Sequence, residues 1–459
     1  MTERRPRRDF HRTALATAAA ATVAGAFSAV TRAGGVIGAN ERVRIGCLGV
    51  GNRGVQVLEA FHPLDDAEIV ALCDVYEPYL HGQYDRIDPR FKPLGARVPR
   101  RQPDFHREVD RVKDFRRVLD RKDVDAVIVA TPDHWHAIQT IAACDAGKDV
   151  YVEKPLSITV REGRRMVEAA RRNNRVVQVG TQRRSSKSYK MLLEEVRAGG
   201  LGKVTAARAS YASNMAPNGI GKVPDSDPPE GLDWDMWVGP RPARRFNENI
   251  MPYKFRWWHL FSSQMANWGV HYFDVMRWMV GEVAPASLSA HGGRFAVDDS
   301  RTIPDTAEVI FEHASGMLMS FSVFEANGQP GLPGGEIELR GTVGTARADI
   351  RRFEIVAERG GQFQDPKPRR IGMAESPSQS DSLLTRDHAR NFLDCVKSRE
   401  RPAADVEEGH RSTTFALLAN IALAVRARLD WDPQAERFTN HDKANDLLDY
   451  EYRTPWTKA

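Results

Sequence analysis

The residue best placed to do chemistry in this sequence is Lys154, which lies in the segment Ala130–Pro155. The segment reads as a strand, a polar turn, a helix (Trp135–Ala146) and a second short strand (Val150–Glu153) that runs into the lysine. An open α/β sheet binds its ligand at the carboxyl ends of its strands. A lysine there, partly desolvated and close to another positive charge, has a lowered pKa and can accept a proton from an alcohol. Lys154 is therefore the first candidate catalytic residue.

A second set of candidates lies in the other half of the chain. Asn267, His271 and Asp274 are spaced i, i+4 and i+7, so on a helix they share one face. His271 is the second candidate for proton transfer; the alternative is a histidine that only makes a structural hydrogen bond. Asn267 carries a neutral amide, which can position a partner but cannot take up a proton.

A glycine-rich loop would hold a cofactor close to these groups. It follows an apolar strand (Val43–Leu48) and opens a helical pattern (Val55–Phe61). Glycines in this context allow a tight turn, close approach to a pyrophosphate and packing of the helix on the strand, and the phosphates meet the helix N-terminus. The candidate cofactor-binding residues of the loop are Gly49, Val50, Gly51, Asn52, Arg53 and Gly54.

Asp74 ends the next predicted strand, Glu68–Cys73, twenty residues beyond Gly54. A carboxylate at this position can accept hydrogen bonds from both ribose hydroxyls and would repel a 2′-phosphate. The sequence therefore favours NAD over NADP. The alternative is that Asp74 only begins the following turn.

The alternation of elements predicts an α/β fold with two domains. Strands and helices alternate through residues 40–182, which indicates a doubly wound parallel sheet of the Rossmann type, with an extended insertion at residues 78–112. Residues 183–459 are instead rich in strands and end in long helical segments. We expect them to form an α+β domain with an open, mostly antiparallel sheet.

Five segments together resemble the Gfo/Idh/MocA oxidoreductase family, the group of glucose–fructose oxidoreductase and inositol dehydrogenase. The segments are GVGNRG, Asp74, TPDHWHA, AGKDVYVEKP and VGTQRR. The resemblance implies the two domains described above, a C-terminal sheet that mediates assembly into a dimer or tetramer, and a substrate that is a sugar, a cyclitol or a related compound. It adds to the candidate cofactor contacts Thr131, Pro132, His136, Glu153, Gln182 and Lys154 itself.

Four residues are candidates for substrate binding: Arg183, Trp258, Asn267 and His271. In the resembled family an Asp and a His four residues apart face the substrate. Here Asn267 replaces the Asp, so proton transfer falls to Lys154, His271 or both. Arg183 could reach the cofactor or an anionic group, or be a surface arginine, and the tryptophans around residue 258 could stack on sugar rings or fill the core.

The function that these residues indicate is NAD-dependent hydride transfer at a secondary alcohol, with the cofactor held tightly. One alternative is glycoside cleavage by transient oxidation, elimination and re-reduction, although the substrate-loop pattern of that branch is not clearly present. A second alternative is an exported dinucleotide-binding or sensory protein without activity, which Asn267 would suit.

Residues 1–33 have the layout of an export signal. Arg7-Arg8 precede an uncharged, alanine-rich run, which resembles a twin-arginine signal handled by the twin-arginine export machinery. We expect a periplasmic or secreted protein that is exported folded and has no stable membrane anchor. The leader also carries +4 of the formal net charge of +5, so the basic composition does not indicate a nucleic-acid partner.

The four cysteines lie in predicted strands and helices and include no CxxC pair, which favours buried free thiols over a disulfide framework. His134 and His136 flank Trp135, but no Cys, His or carboxylate set with metal-ligand spacing accompanies them. We therefore predict no metal site.

Overall fold

The computed structural model describes residues 41–99, 101–105, 107–332 and 334–457. The predicted export signal, residues 1–33, lies outside the described residues, and the boundaries given to the two domains stay predictions. Across these ranges, none of the helices combines the length and apolar character that crossing a membrane requires.

The first sheet contains six parallel strands in the order β3-β2-β1-β4-β5-β6. The strands are β1 (Val43–Leu48), β2 (Ala67–Cys73), β3 (Asp110–Val112), β4 (Ala126–Val129), β5 (Asp149–Val152) and β6 (Val177–Val179). The helices in this part of the chain are α1 (Asn52–Phe61), α2 (Glu77–Leu80), α3 (Phe115–Leu119), α4 (His136–Asp145) and α5 (Val160–Arg172).

Burial on both faces explains the apolar runs of these strands. Every residue of β4 and β5 is buried, because helices cover the sheet on both sides. The helix α5 begins at a capping box in which the Thr159 hydroxyl accepts from the Glu162 backbone N–H and the Glu162 carboxylate accepts from that of Thr159. Its apolar face then packs against α4.

The second sheet contains ten strands in the order β14-β13-β12-β11-β7-β10-β9-β8-β15-β16. They are β7 (Val204–Ala212), β8 (Ser287–Gly293), β9 (Thr306–Glu312), β10 (Leu318–Phe324), β11 (Ile337–Gly341), β12 (Gly344–Ala348), β13 (Phe353–Ala357), β14 (Met373–Glu375), β15 (Leu429–Asp432) and β16 (Arg437–Phe438). Only the β7–β10 pair is parallel among the recorded strand pairings of this sheet. The accompanying helices are α6 (Lys187–Arg197), α7 (Trp234–Val238), α8 (Val270–Val280), α9 (Asp381–Ser398), α10 (Val406–Val425) and α11 (Asp442–Asp446).

The C-terminal helices connect the two sheets. Phe392 on α9 makes edge-to-face contacts with Phe61 of α1 and Tyr151 of β5, and Arg390 on α9 pairs with Asp66 at 2.6 Å. The largely buried helix α10 packs against α5, α8 and β8. Helix α10 thus fixes α8 against the half of the chain that contains the first sheet.

The predicted fold class is confirmed: a parallel, Rossmann-like sheet is followed by a mixed, mostly antiparallel one. The sequence predicts strands of the second half over 202–213, 286–294, 306–311, 317–324, 335–340 and 345–349, which correspond to β7 to β12. The strands β13 to β16 were not predicted; β14 and β16 have only three and two residues, too few to show a periodic pattern. The helical pattern of the sequence predicts a helix over 386–398, but α9 begins five residues earlier, at Asp381, because Ser380 caps it by accepting from the Leu383 N–H.

Candidate active site

The glycine loop between β1 and α1 has the geometry of a phosphate cradle. Gly49 lies in the left-handed region at φ +88°, and a Cβ there would come within 2.8 Å of the Ala130 backbone. At Gly54 a Cβ would lie 1.9 Å from the Gly49 carbonyl oxygen, so only glycine lets α1 pack this closely on the loop. Gly51 caps α1 and lines the cavity described below. The free N–H groups of the first turn of α1 suit an anionic group.

Asp74 closes the other side of this loop. One carboxylate oxygen accepts from the Val50 N–H at 2.9 Å and the other from the Tyr76 N–H at 3.0 Å. Burial raises the pKa of Asp74 to about 6, and the backbone N–H groups oppose that rise. Each oxygen keeps a second lone-pair site, so the carboxylate can still accept from a ribose hydroxyl.

Glu153 and His136 brace the turn around Lys154. The buried Glu153 carboxylate accepts from Arg53 Nε at 2.8 Å and from the Lys154 backbone N–H at 3.2 Å. The His136 ring spans the Pro155 carbonyl at 2.7 Å and the Thr131 carbonyl at 2.9 Å. Both side chains therefore tie the end of β5 to the cofactor loop and to the turn after β4.

Lys154 crosses from this turn to the second half of the chain. Its Nζ donates to the backbone oxygen of Asn267 at 2.8 Å and to the side-chain oxygen of the same residue at 2.9 Å. Burial is the main cause that lowers its pKa to about 8, and Arg256 and Arg53 lower it further while Glu153 and Asp133 raise it. A lysine with this pKa is neutral in an appreciable fraction of molecules near neutral pH.

His271 lies one helical turn beyond Asn267 and is 5% exposed. Burial, then the positive charges of Arg183 and Lys154, hold its pKa well below the ordinary value, so the ring is neutral. Its Nδ1 has no hydrogen-bond partner within the described residues. A buried polar atom without a partner is costly, which fits a group that bonds to a ligand.

The predicted shared face of Asn267, His271 and Asp274 is only partly correct. A π-helical turn at Met265–Gly269 precedes α8 and changes the phase of the side chains. Asn267 and His271 line the cavity, whereas Asp274 points away and pairs with Arg184 at 2.8 Å.

A cavity of about 290 Å³ joins these groups. Of the residues predicted from the sequence, it is lined by Gly49, Gly51, Asn52, Arg53, Asp74, Thr131, Pro132, His136, Glu153, Lys154, Asn267 and His271. It is not lined by Val50, Gly54, Gln182, Arg183 or Trp258. The two candidate catalytic residues, Lys154 and His271, therefore line the same cavity as the glycine loop although 117 positions separate them in the sequence.

The predicted residues outside the lining are held by other contacts. Arg183 is 8% exposed, pairs with Glu336 at 2.6 Å and lies over the Tyr272 ring, so it acts on the cavity only through its charge on His271. The surface position considered for it is wrong. The indole N–H of Trp258 donates to the Asn249 carbonyl at 2.6 Å, which directs the ring away from the cavity.

Sequence reasoning missed a polar cluster behind Asn267. Asn267 Nδ2 donates to Gln264 Oε1 at 3.2 Å, and Gln264 Nε2 donates to Glu325 Oε1 at 2.7 Å. Gln264 precedes Asn267 by three positions, so helical spacing could have indicated it. Glu325 follows β10, and nothing in its local pattern marks it.

The described residues contain no group of three or more His, Cys, Asp or Glu side chains that could hold a metal ion. All four cysteines are buried and free.

Three domain models of one family match successive parts of the chain. Residues 43–181 match an oxidoreductase-family NAD-binding Rossmann fold, residues 237–347 a GFO/IDH/MocA C-terminal domain, and residues 379–458 an oxidoreductase-family C-terminal alpha/beta domain. Together they cover well over half of the sequence. The chain belongs to the Gfo/Idh/MocA oxidoreductase family. Its N-terminal half is accordingly an NAD-binding domain, as predicted.

Some proteins similar to this chain are named as glycoside hydrolases and not as oxidoreductases. The glycosyl hydrolase family 109 protein 1 of Shewanella sp. (strain ANA-3) is 32% identical over 175 residues, which is 38% of this chain and 36% of the relative. An alpha-N-acetylgalactosaminidase of Shewanella oneidensis is 30% identical over 175 residues, with the same shares. The chain thus matches little more than a third of the length of these relatives.

Solved structures share the fold over most of the chain. A levoglucosan dehydrogenase in complex with NADH and levoglucosan has a TM-score of 0.61 and 16% identity, over 85% of this chain and 99% of that one. The WlbA dehydrogenase from Bordetella pertussis, in complex with NADH and UDP-GlcNAcA, has a TM-score of 0.60 and 19% identity over the same shares. At these identities the likeness shows the fold alone.

The cavity residues of this family member fit NAD. The glycine cradle and the N-terminus of α1 suit a pyrophosphate, and the Asp74 oxygens have lone pairs left for ribose hydroxyls. Lys154, from the turn after β5, and His271, from the second half of the chain, both line this cavity, and His271 Nδ1 has no partner among the described residues. NAD is the cofactor indicated both by the domain and by these side chains.

Proposed function

We propose that the protein is an NAD-dependent oxidoreductase that acts at a secondary alcohol of a sugar, cyclitol or sugar derivative. The observation that carries the proposal is Lys154, a lysine whose pKa is lowered to about 8 and whose Nζ lies at the cavity beside a neutral histidine. The names of the dehydrogenases that share the fold, with NADH and sugar-like molecules bound, support this substrate class.

Lys154 acts as the general base. NAD, when bound, supplies the acceptor for the hydride that leaves the carbinol carbon. An alcohol gives up that hydride readily only as its proton leaves, and neutral Lys154 Nζ takes this proton. Because its pKa is near 8, the lysine can return the proton in the reverse direction.

His271 and Asn267 hold the reacting groups. The neutral His271 can donate or accept one hydrogen bond at the alcohol or carbonyl oxygen, but it does not add a charge. Asn267 holds Lys154 through two oxygens, and burial, followed by the positive charge of Arg183, keeps the His271 ring neutral. Arg183 is therefore a positioning residue in this scheme.

A panel of neutral and acidic sugars tests the proposal by the absorbance of reduced nicotinamide. We expect turnover with at least one sugar, and a loss of about 10³-fold or more for Lys154→Ala, since a positioned general base contributes about 10²–10⁴-fold. Lys190→Ala, which changes an exposed lysine on α6, is the matched control and should leave turnover unchanged. Turnover that survives Lys154→Ala would contradict the assignment of the base.

Glycoside cleavage is a second candidate, favoured by the names of the relatives at 30–32% identity. The same lysine would begin a transient oxidation, after which elimination and re-reduction would restore the cofactor. Release of the aglycone from a chromogenic glycoside without accumulation of NADH would select this reaction. Accumulation of NADH without aglycone release would exclude it.

The predicted export signal at residues 1–33, with its paired arginines and alanine-rich run, supports a periplasmic or secreted location reached through the twin-arginine machinery. A cofactor carried out of the cytoplasm has to stay bound, so the purified protein should release NAD only on denaturation. The family resemblance supports a homo-oligomer, in which the ten-stranded sheet provides the contact surface. Mass spectrometry of the denatured supernatant and light scattering of the native protein test these two points.

A further inference from the structure

A chain of hydrogen bonds runs from Lys154 into the interior of the second half. Lys154 Nζ donates to Asn267 Oδ1 at 2.9 Å, Asn267 Nδ2 donates to Gln264 Oε1 at 3.2 Å, and Gln264 Nε2 donates to Glu325 Oε1 at 2.7 Å. Gln264 is 3% exposed and Glu325 is fully buried. No part of this chain depends on an exposed side chain that could rotate freely.

The far end of the chain is the side chain of Glu325, which accepts hydrogen bonds when it is ionised. Glu325 receives Arg301 Nη1 at 2.6 Å, the indole N–H of Trp257 at 3.0 Å and the Gln264 amide. Arg301 and Trp257 can only donate hydrogen bonds. Burial raises the pKa of Glu325 to about 7, and above that pH the carboxylate has no proton to give, so it can only accept from Gln264 as well. Arg301 is also held by hydrogen bonds to Asp299, and the donor of Trp257 is part of a rigid indole ring.

A fixed acceptor at one end sets the orientation of both amides. An amide presents two N–H groups on one side and an oxygen on the other, and which way it faces follows from its hydrogen-bond network. Glu325 requires the NH₂ group of Gln264, which turns the Gln264 oxygen towards Asn267. That oxygen requires the NH₂ group of Asn267, which turns the Asn267 oxygen towards Lys154.

We propose that Gln264 and Glu325 are positioning residues for Lys154, which keep the side-chain oxygen of Asn267 aimed at Nζ and so direct the amine lone pair into the cavity. The inference rests on the proposed role of Lys154 as general base. A neutral amine has two N–H bonds and one lone pair. Both N–H bonds are taken by the two oxygens of Asn267, at 2.8 and 2.9 Å, so the remaining direction is the one open to a substrate.

This arrangement gives Asn267 a purpose that a carboxylate would not serve. A carboxylate in its place would stabilise the charged lysine, whereas the amide oxygen orients Nζ without adding a charge. The other charged or titratable groups that act on Lys154 from neighbouring elements are Glu153, Arg53, Asp133, Arg256 and His271. None of them contacts Asn267 Oδ1 in the recorded hydrogen bonds of the described residues.

The test replaces Gln264 by methionine, which has a similar volume but no amide. The Asn267 amide then loses the hydrogen bond that fixes its orientation, so its oxygen no longer accepts reliably from Lys154 Nζ. We expect the pKa of Lys154 to fall by about half a unit to one unit and kcat to fall about 10-fold, with KM changed less than 3-fold. The pKa is measured on the full-length protein by competitive labelling of Lys154 with an amine reagent across pH, followed by mass spectrometry, which needs no substrate.

The sign of the shift separates this inference from simple damage. If the substitution only loosened the packing around Lys154 and admitted water, the pKa of Lys154 would rise towards its ordinary value of about 10.5, because the lysine would no longer be desolvated. Ser263→Ala is the matched control in the same turn, where the hydroxyl accepts from the Ala266 N–H at 3.0 Å but takes no part in the chain. It should leave the labelling midpoint of Lys154 within about 0.3 units of the parent.

Gln264→Glu provides a rescue. A carboxyl group at this position can share one proton with Glu325 and still offer an oxygen to Asn267, so the Asn267 amide keeps its orientation at low pH. Once the shared proton leaves, the two buried carboxylates repel each other and displace the turn that carries Asn267. We expect near-parent kcat at pH 6 and a loss at pH 9 that Gln264→Met does not show. A labelling midpoint that is unchanged or raised in Gln264→Met overturns the inference, even if no sugar is turned over. A missing activity with the expected downward shift would instead overturn the proposed function alone.

Discussion

Replacing Asn267 by aspartate is the sharpest test of the proposed base, because it adds one charge beside Lys154 Nζ. The two atoms concerned are 2.9 Å apart. Unit charges at this separation interact by about 6 kcal/mol at an effective dielectric constant of about 20, which corresponds to an upper limit of about 4 pKa units. Since the amide oxygen already stabilises the charged form in part, we expect a rise of about 1–2 units.

The rise moves the pKa of Lys154 from about 8 to about 9–10. At pH 7 the neutral fraction then falls from about a tenth to between about a hundredth and a thousandth. We expect kcat/KM at pH 7 to fall about 10- to 100-fold and to recover as the pH rises past the new pKa. The pH profile of kcat/KM between pH 6 and 10.5 measures this directly.

Asn267→Ala is the control for loss of the side-chain contact without a new charge. It should not shift the rising limb of the pH profile to higher pH. Its kcat should still fall, because the Lys154 amine is no longer oriented. An Asn267→Asp limb that stays in place, or moves to lower pH, would show that a group other than Lys154 titrates in the profile. Thermal melts of both variants verify that they fold.

Three further outcomes follow from the site. Lys154→Met should abolish turnover yet raise Tm at pH 7. The pKa of Lys154 is lower in the folded protein than in the unfolded chain, so the stability of the parent increases as pH rises from about 8 to about 10.5. This pH dependence of stability should disappear in the variant. An unchanged slope of Tm against pH would contradict it. His271→Asn should lower kcat about 10- to 100-fold without moving any limb between pH 5 and 8, because the buried ring is already neutral; the appearance or loss of a limb near pH 6.5 would refute that. Asp74→Asn should weaken NAD binding about 10-fold and reduce the ratio of NAD affinity to NADP affinity, measured by titration of protein that has been unfolded, freed of cofactor and refolded. An unaltered ratio would show that Asp74 only begins its turn.

Local pattern was sufficient for much of the fold. The apolar runs of β1, β4 and β5 predicted buried parallel strands, because a strand covered on both faces needs no polar residues. The glycine loop and Asp74 predicted an NAD-binding half, since their spacing follows from backbone geometry within a single βαβ unit. The short edge strands and the π-helical turn before α8 have no comparable signal, because their geometry depends on packing against distant segments.

For some candidate residues, only tertiary packing decided whether the side chain reaches the cavity. Arg183 and Trp258 were chosen by their positions near strand ends and tryptophan-rich loops, but the structure pairs Arg183 with Glu336 and turns Trp258 towards Asn249. Glu336 lies 153 positions from Arg183, and Asn249 lies nine positions before Trp258 in an irregular segment where no helical or strand spacing indicates the contact. A long side chain can reach several positions, and its choice depends on which partner the fold brings near.

The sequence by itself determined that Lys154 stands at the end of a strand in a dinucleotide-binding half, because this depends on residues within about a hundred positions and on local backbone rules. The tertiary structure decided what the lysine faces. Its partner Asn267, the neutral His271 and the buried Glu325 come from segments 113, 117 and 171 positions away. Their effect on the lysine arises from burial and hydrogen-bond direction, which exist only once these segments pack together.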